Sequence, residues 1–345
     1  MRLRTSRPDR PGYTRARHGR GFRYLDTAGR PLTDEAERAR IRALAIPPAW
    51  RDVWICPWPG GHIQAMGTDE AGRRQYLYHQ RFREQQEAVK HAHVLDVATR
   101  LPRLREAVAQ DLALRGLARD RVLACTARLL DLGFFRVGGA GYRKDNGAYG
   151  LTTLLPEHAL CRGGEVCFSY PGKSGQDQAR ALVDPAAYEV VRALRRRAGR
   201  DGQSQLFVYW GGRRWHDVQA ADVNDYLRGR SGTAITAKDF RTWHATVLAA
   251  VALAVSVEAA DGSKARRARA MTRAVREVTS YLGNTPAVCR ASYINPRLFE
   301  LYEDGRTIAP ALDRLGKDVA FGHPATHGAV EAAVVRLLTG EDPAG

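Results

Sequence analysis

Residues 281–293 read Tyr-Leu-Gly-Asn-Thr-Pro-Ala-Val-Cys-Arg-Ala-Ser-Tyr. Helical spacing of apolar residues over 263–282 runs into this stretch and stops at Gly283, with Pro286 completing a turn. The turn sets an amide, Asn284, and a phenol, Tyr293, close together in the chain. The segments outside it decide what such a pair can act on.

Immediately upstream, a helical pattern over 240–259 opens with Lys238-Asp-Phe-Arg241-Thr-Trp-His244. Two cations three apart at a helix start can face one ligand, and the same spacing also suits a surface ion pair. Further helices are predicted over 218–228, 184–200 and, at the end of the chain, 330–338. Between 151 and 170 the pattern is β-rich, with Gly163-Gly164 as a hairpin turn. Phe168-Ser-Tyr-Pro-Gly-Lys173-Ser-Gly then places a lysine in a turn. Amphipathic helices are predicted over 82–98, 104–117 and 121–135. The last of these reaches Arg136 beside two glycines, where backbone can approach a ligand closely, or where a cation complements a helix C-terminus.

The first ninety residues differ. Phe22–Asp26, Val53–Pro57, His62–Met66 and Gln75–His79 cluster β-formers, punctuated by Gly29, Pro59-Gly60-Gly61 and Gly72. A short helix is predicted over 33–44, with Thr33 as its N-cap and Glu35 and Glu37 in its first turn. Residues 1–20 read as a mobile basic arm that orders on a polyanion, or as a plain solvated tail. The fold class is α+β. A small antiparallel N-terminal domain, 21–92, precedes a larger, mainly helical domain with one small sheet, 93–340.

Composition bounds the function. The 345 residues carry 54 Lys and Arg against 37 Asp and Glu, a net charge of +17, so the long-range field favours polyanions such as nucleic acid. Five cysteines without a C-x-x-C pair suggest neither a zinc knuckle nor a disulfide framework, and suit a reducing cytoplasm. The longest apolar run, 247–255, is too short to span a bilayer. The arginine-rich start has no apolar segment behind it, which argues against a secretory signal. His91-x-His93 and His323-x-x-x-His327 read as surface or packing histidines without carboxylate partners, so no metal site and no cofactor are expected.

Taken in order, Arg136, Lys173, Lys238-x-x-Arg241, Asn284 and Tyr293 form a series. With their contexts Phe134-Phe-Arg136, Pro171-Gly-Lys173, Lys238-Asp-Phe-Arg241-Thr-Trp and Leu282-Gly-Asn284-Thr-Pro, they resemble the catalytic constellation of type IB DNA topoisomerases. More distantly they resemble that of tyrosine recombinases, which share the catalytic fold. Ile46-Pro-Pro-Ala-Trp50, Gly61-His-Ile-Gln64-Ala and Gly72-Arg-Arg-Gln75-Tyr76-Leu-Tyr78-His79 are similar to the N-terminal domain of the short poxviral and bacterial members. The resemblance covers about residues 20–320.

The resemblance implies a two-lobed clamp on double-stranded DNA and supercoil relaxation without ATP or metal. Tyr293 is then the nucleophile of a 3′-phosphotyrosyl intermediate, with Lys173 as general acid. Arg136, Arg241 and Asn284 attend the phosphate, and Lys238 supports them. Gln75, Tyr76, Tyr78 and Tyr142 become DNA contacts. A monomer with no obligatory protein partner, cytoplasmic and associated with the nucleoid, is expected.

Three positions depart from the pattern. Asn284 stands where many relatives have histidine, so a hydrogen-bond donor must suffice there. Lys238 stands where the recombinase branch has histidine, which favours the topoisomerase branch. Ser174 follows Lys173 where several relatives have aspartate. A site-specific recombinase and an inactive DNA-binding protein of the same fold stay open as alternatives.

Overall fold

A computed structural model describes residues 2–139, 147–172, 175–201, 205–257, 263–315 and 327–344. The chain divides into two compact units, Met1–His91 and Ala92–Gly345. No helix of the described residues is long and apolar enough to cross a membrane.

The first unit is a five-stranded antiparallel sheet built from β1 (Tyr13–His18), β2 (Gly21–Leu25), β3 (Arg51–Ile55), β4 (Ile63–Thr68) and β5 (Arg74–Tyr78), in the order β2-β1-β3-β4-β5. Helix α1 (Glu35–Ala43) covers it, and Ile41, Ile46, Val53, Ile55 and Ala65 make the core. Its cap is Asp34 rather than the expected Thr33. The Asp34 carboxylate accepts from the N–H groups of Ala36 (2.9 Å) and Glu37 (3.3 Å), which a residue one position earlier does not reach.

Part of the expected arm is built into this sheet. Tyr13–His18 pairs with both β2 and β3, and Ser6 is buried, its hydroxyl donating to the Ile63 carbonyl at 2.9 Å. Arg15 donates to the carbonyls of Ile46 (3.0 Å), Pro47 (2.9 Å) and Trp50 (2.9 Å), so this arginine secures the Ile46-Pro-Pro-Ala-Trp50 turn. Composition counted the segment as polar; internal acceptors for its donors order it instead.

The second unit is mainly helical. Its helices begin with α2 (Gln80–Leu112), which starts in the first unit, and α3 (Arg119–Gly133). The three-stranded sheet β6 (Ala159–Arg162), β7 (Glu165–Pro171) and β8 (Asp177–Val183) follows, then α4 (Pro185–Asp201). A two-stranded hairpin, β9 (Val208–Gly211) and β10 (Arg214–Asp217), precedes α5 (Ala220–Ser231), α6 (Ala237–Val255) and α7 (Lys264–Leu282). Three short helices, α8 (Pro286–Ser292), α9 (Arg297–Glu303) and α10 (Ala309–Leu315), lead to α11 (Ala329–Thr339).

Two expectations need correction here. Helices predicted separately over 82–98 and 104–117 are one helix that passes through Pro102. Val94, Val97, Ala98, Leu101, Leu104, Val108 and Leu112 form one buried stripe, and burying it outweighs the roughly 3 kcal/mol that an interior proline costs. Among the described residues the second unit also has two small sheets rather than one, because the short strands β9 and β10 give too little alternation to be read. The Gly163-Gly164 turn is as predicted, with φ of 58° and 86° joining β6 to β7.

Candidate active site

The turn at 283–286 is a helix stop followed by a helix start. Gly283 caps α7 in the left-handed conformation (φ 60°), and Thr285 then caps α8 with Pro286 in its first turn. Helix α8 spans most of the nine-residue interval and ends at Tyr293, whose N–H bonds the Cys289 carbonyl at 3.0 Å. Tyr293 is half-buried, and its carbonyl accepts from Thr246 Oγ1 on α6 at 3.3 Å.

Arg241 lies one turn into α6 and is 4% exposed. The Asp239 carboxylate secures this helix start by accepting from the Thr236 N–H (2.8 Å) and hydroxyl (2.9 Å). Arg241 donates to the carbonyls of Phe134 and Leu282 (2.8 Å) and to Asn284 Oδ1 (2.9 Å). Its guanidinium carbon lies 5.5 Å from the centre of the Tyr293 ring. Burial, aided by the nearby Arg136 charge, lowers Arg241 to about 10, with Tyr293 opposing; it stays charged at neutral pH.

Arg136 lies beyond the end of α3, not in its last turn. It donates to Asn284 Oδ1 at 3.0 Å and to the Gly283 carbonyl at 3.4 Å. It does complement a helix C-terminus, but that of α7, about 150 residues away in sequence. The glycine beside it, Gly138, serves a close approach within the chain. A Cβ on Gly150 would come within 2.4 Å of the Gly138 Cα, and Leu151 N–H bonds the Arg136 carbonyl at 2.8 Å. Phe134 caps α3 at φ 56°, a conformation rare without glycine. Its carbonyl is held by Arg241 and its ring packs against His244 (5.5 Å) and Tyr281 (5.6 Å), which fixes that geometry.

Arg136, Arg241, Asn284 and Tyr293 are thus brought together. Lys238 is exposed on the first turn of α6 while Arg241 is buried, so the three-residue spacing yields one cation in each environment. Lys173 and Tyr142 lie outside the described residues. Tyr170 was not singled out by sequence. It is 6% exposed, burial raises its phenol, and the charges of Arg180, Arg241 and Arg136 oppose that rise. The motif around Asn284 separates Tyr293 from it in sequence, and depth separates them in the structure, since Tyr293 is the more accessible phenol.

Among the described residues, the hydrogen-bond partners of Arg136 and Arg241 are neutral: carbonyls and one amide oxygen. Their charge is oriented without being cancelled. Two positive groups around a neutral acceptor, beside a phenol, suit the non-bridging oxygens of a phosphodiester.

Behind Arg241, one turn further along α6, His244 Nε2 lies 3.1 Å from Asp131 Oδ1, and His327 Nε2 lies 3.3 Å from the same oxygen. His327, read from sequence as lacking a carboxylate, therefore has a buried one. The outlying histidines also have carboxylates near them, at 3.7 Å for His91 and Glu87 and 3.5 Å for His93 and Asp239. The Asp131, His244 and His327 donors lie within 4.8 Å of one another, as metal ligands would. Arg105, however, already bonds both Asp131 oxygens (2.8 and 3.1 Å) and reaches Glu331 on α11, which also accepts from Trp243. The cluster reads as a buried ion network fastening α11 to α3 and α6. Burial would raise the Asp131 carboxyl, but hydrogen bonds from His244 and His327 and the Arg105 charge hold it well below the usual carboxylate range.

In the first unit, β5 presents Arg74, Tyr76 and Tyr78 on its exposed face, with the two tyrosine rings stacked 6.0 Å apart. Gln75 points the other way and donates to Asp69 at 2.9 Å, so the three expected contacts do not share a face. Arg74 joins the tyrosines instead, a neighbour that strict alternation along the strand could have revealed. Gln64, part of the matched motif, is buried and donates to the Gly61 carbonyl at 2.6 Å.

Comparison with known proteins agrees with this architecture. Residues 79–307 match the family model of the eukaryotic DNA topoisomerase I catalytic core, and residues 21–69 match that of the bacterial DNA topoisomerase IB N-terminal domain. The DNA topoisomerase 1B of Acanthamoeba polyphaga mimivirus is 29% identical over 290 residues, covering 82% of this chain and 84% of the relative. The chain belongs to the type IB DNA topoisomerases, isomerases whose substrate is DNA. Within the N-terminal unit, residues 21–69 are similar to the bacterial form of that domain.

Proposed function

We propose that the chain relaxes positive and negative supercoils by transient cleavage of one strand, through a 3′-phosphotyrosyl bond at Tyr293, using neither ATP nor a metal. The phenol oxygen attacks phosphorus, the bond to the 5′ oxygen breaks, and the phenol proton passes to solvent. Lys173 delivers a proton to the leaving 5′ oxygen, which an ammonium does more readily than an ordinary guanidinium. Arg136 and Arg241 stabilise charge on the non-bridging oxygens, and Asn284 adds a neutral donor. Lys238 supports the same phosphate. The phosphotyrosyl bond retains the energy of the phosphodiester, so religation is the reverse step after the free end has rotated.

The observation that carries this reading is the pair of guanidiniums gathered beside Tyr293 on neutral acceptors. We further propose that a monomer acts on duplex DNA, with the β5 face contacting the duplex and phosphate contacts supplying most of the affinity. The test is supercoiled plasmid in chelator without nucleotide, comparing the native chain with Tyr293→Phe. Relaxation and a covalent DNA adduct are expected only with the native chain. No relaxation, or equal relaxation by both, would refute the proposal, and strand exchange between two DNA sites would point to a recombinase.

A further inference from the structure

Helix α7 ends in three successive carbonyls, and each accepts from a different arginine. Leu282 accepts from Arg241 (2.8 Å) and Gly283 from Arg136 (3.4 Å), as above; Tyr281 accepts from Arg180 at 2.8 Å. The last carbonyls of a helix have no partner within it and carry its negative pole, so a guanidinium there both completes hydrogen bonding and is held by the dipole. Arg180 is not one of the two arginines that donate to Asn284.

Its surroundings tie it to that constellation. Arg180 lies on β8, the strand that follows Lys173 in sequence, and shares a strand face with Gln178. It donates to Gln178 Oε1 at 3.0 Å and to the Ala179 carbonyl at 2.7 Å. Gln178 is buried between two glycines. A Cβ on Gly172 would come within 2.6 Å of its Cγ, and a Cβ on Gly283 within 3.3 Å of its amide nitrogen. Gly172 directly precedes Lys173, and Gly283 directly precedes Asn284.

We propose that Arg180, seated on Gln178, is a positioning residue for the reaction. It holds the end of α7 in register with β8, so that Asn284 and the two guanidiniums bonded to it keep their alignment at the phosphodiester. Both of its terminal nitrogens donate to acceptors of the chain, as those of Arg241 do, so the salt slope rather than the hydrogen bonding separates positioning from contact with DNA. Its charge still adds to the positive field felt by Arg241. The inference rests on the proposed function of Arg136, Arg241 and Asn284.

The test uses the full chain with Arg180→Ala and Arg180→Lys. Arg180→Ala should slow single-turnover cleavage at saturating DNA by about 10- to 100-fold, the scale of a small misplacement of reacting groups. DNA affinity and its salt slope should stay unchanged, and Arg180→Lys should recover part of the rate by reaching one acceptor. In an Asn284→Ala background, Arg180→Ala should slow cleavage little further, because both act through one unit. Unchanged cleavage, fully multiplicative losses, or a salt slope reduced by about one, which marks a lost phosphate contact, would each overturn the proposal. Separately, the Asn284 side-chain amide resonances, assigned with Asn284→Asp, should shift in Arg180→Ala without DNA. Resonances that stay in place would overturn the positioning role, whereas a native chain unable to cleave would refute the function beneath it.

Discussion

Arg136 donates to the side-chain oxygen of Asn284 across 3.0 Å, although 148 positions separate them in sequence. Arg241 donates to the same oxygen at 2.9 Å. The amide oxygen is therefore fully engaged, and only the amide nitrogen of Asn284 remains to donate outward. In the proposed reaction, the orientation of this donor is imposed by the two arginines rather than by titration.

Replacing Asn284 separates charge from shape. Asn284→Asp puts a carboxylate of nearly the same size between two guanidiniums. It should raise the melting temperature while lowering cleavage by about 10²- to 10³-fold, the cost of losing one well-placed donor. Asn284→His should retain measurable cleavage, since one ring nitrogen can accept while the other donates. Differential scanning calorimetry and single-turnover cleavage check both outcomes.

Arg241→Lys keeps the charge and loses the fork. The Phe134 and Leu282 carbonyls and the Asn284 oxygen cannot all be reached by one ammonium. Denaturant unfolding should register a loss of about 1–3 kcal/mol from buried acceptors left unmet. Cleavage should fall by about 10²-fold or more.

The network behind the site gives a pH-dependent prediction. Asp131 is held well below the usual carboxylate range in the folded chain, so its contribution to stability is present above the unfolded carboxylate value and lost as the pH falls towards the folded one. Asp131→Asn should destabilise the second unit by about 3–5 kcal/mol, because Arg105 is left near two histidines with only Glu331. The variant should also show a shallower loss of stability with acid than the native chain. Equal acid slopes in urea titrations at pH 3 to 7 would contradict this account.

The exposed face of β5 offers a contrast within one strand. Arg74→Ala should lower DNA affinity and reduce the slope of log affinity against log salt by about one. Tyr76→Ala and Tyr78→Ala should weaken binding with the slope unchanged, whereas Gln75→Ala, whose side chain bonds Asp69, should affect affinity least. Fluorescence anisotropy on a short duplex across a salt series distinguishes these outcomes.

Much of the architecture was legible because it rests on local rules. The Gly163-Gly164 hairpin, the stop at Gly283 and the apolar stripes of α6 and α7 are each encoded within a few residues. The helices expected over 82–98 and 104–117 are one for the opposite reason: Pro102, a local breaker, is overruled by a buried stripe that only packing against the rest of the unit rewards. Residues 1–20 depart from expectation in the same way, since the acceptors that order Arg15 lie at 46–50.

The sequence by itself determined the fold class, the order of the candidate cations and the phenol, and the positive charge that suits DNA. These follow from composition and short-range pattern. Only the tertiary structure decided that one helix terminus gathers Arg136, Arg241 and Arg180, that Gln75 faces away from Tyr76 and Tyr78, and that His244 and His327 share Asp131. Those pairings join atoms far apart in sequence. Their energies depend on burial and on the direction of each donor, which a linear order of residues does not specify.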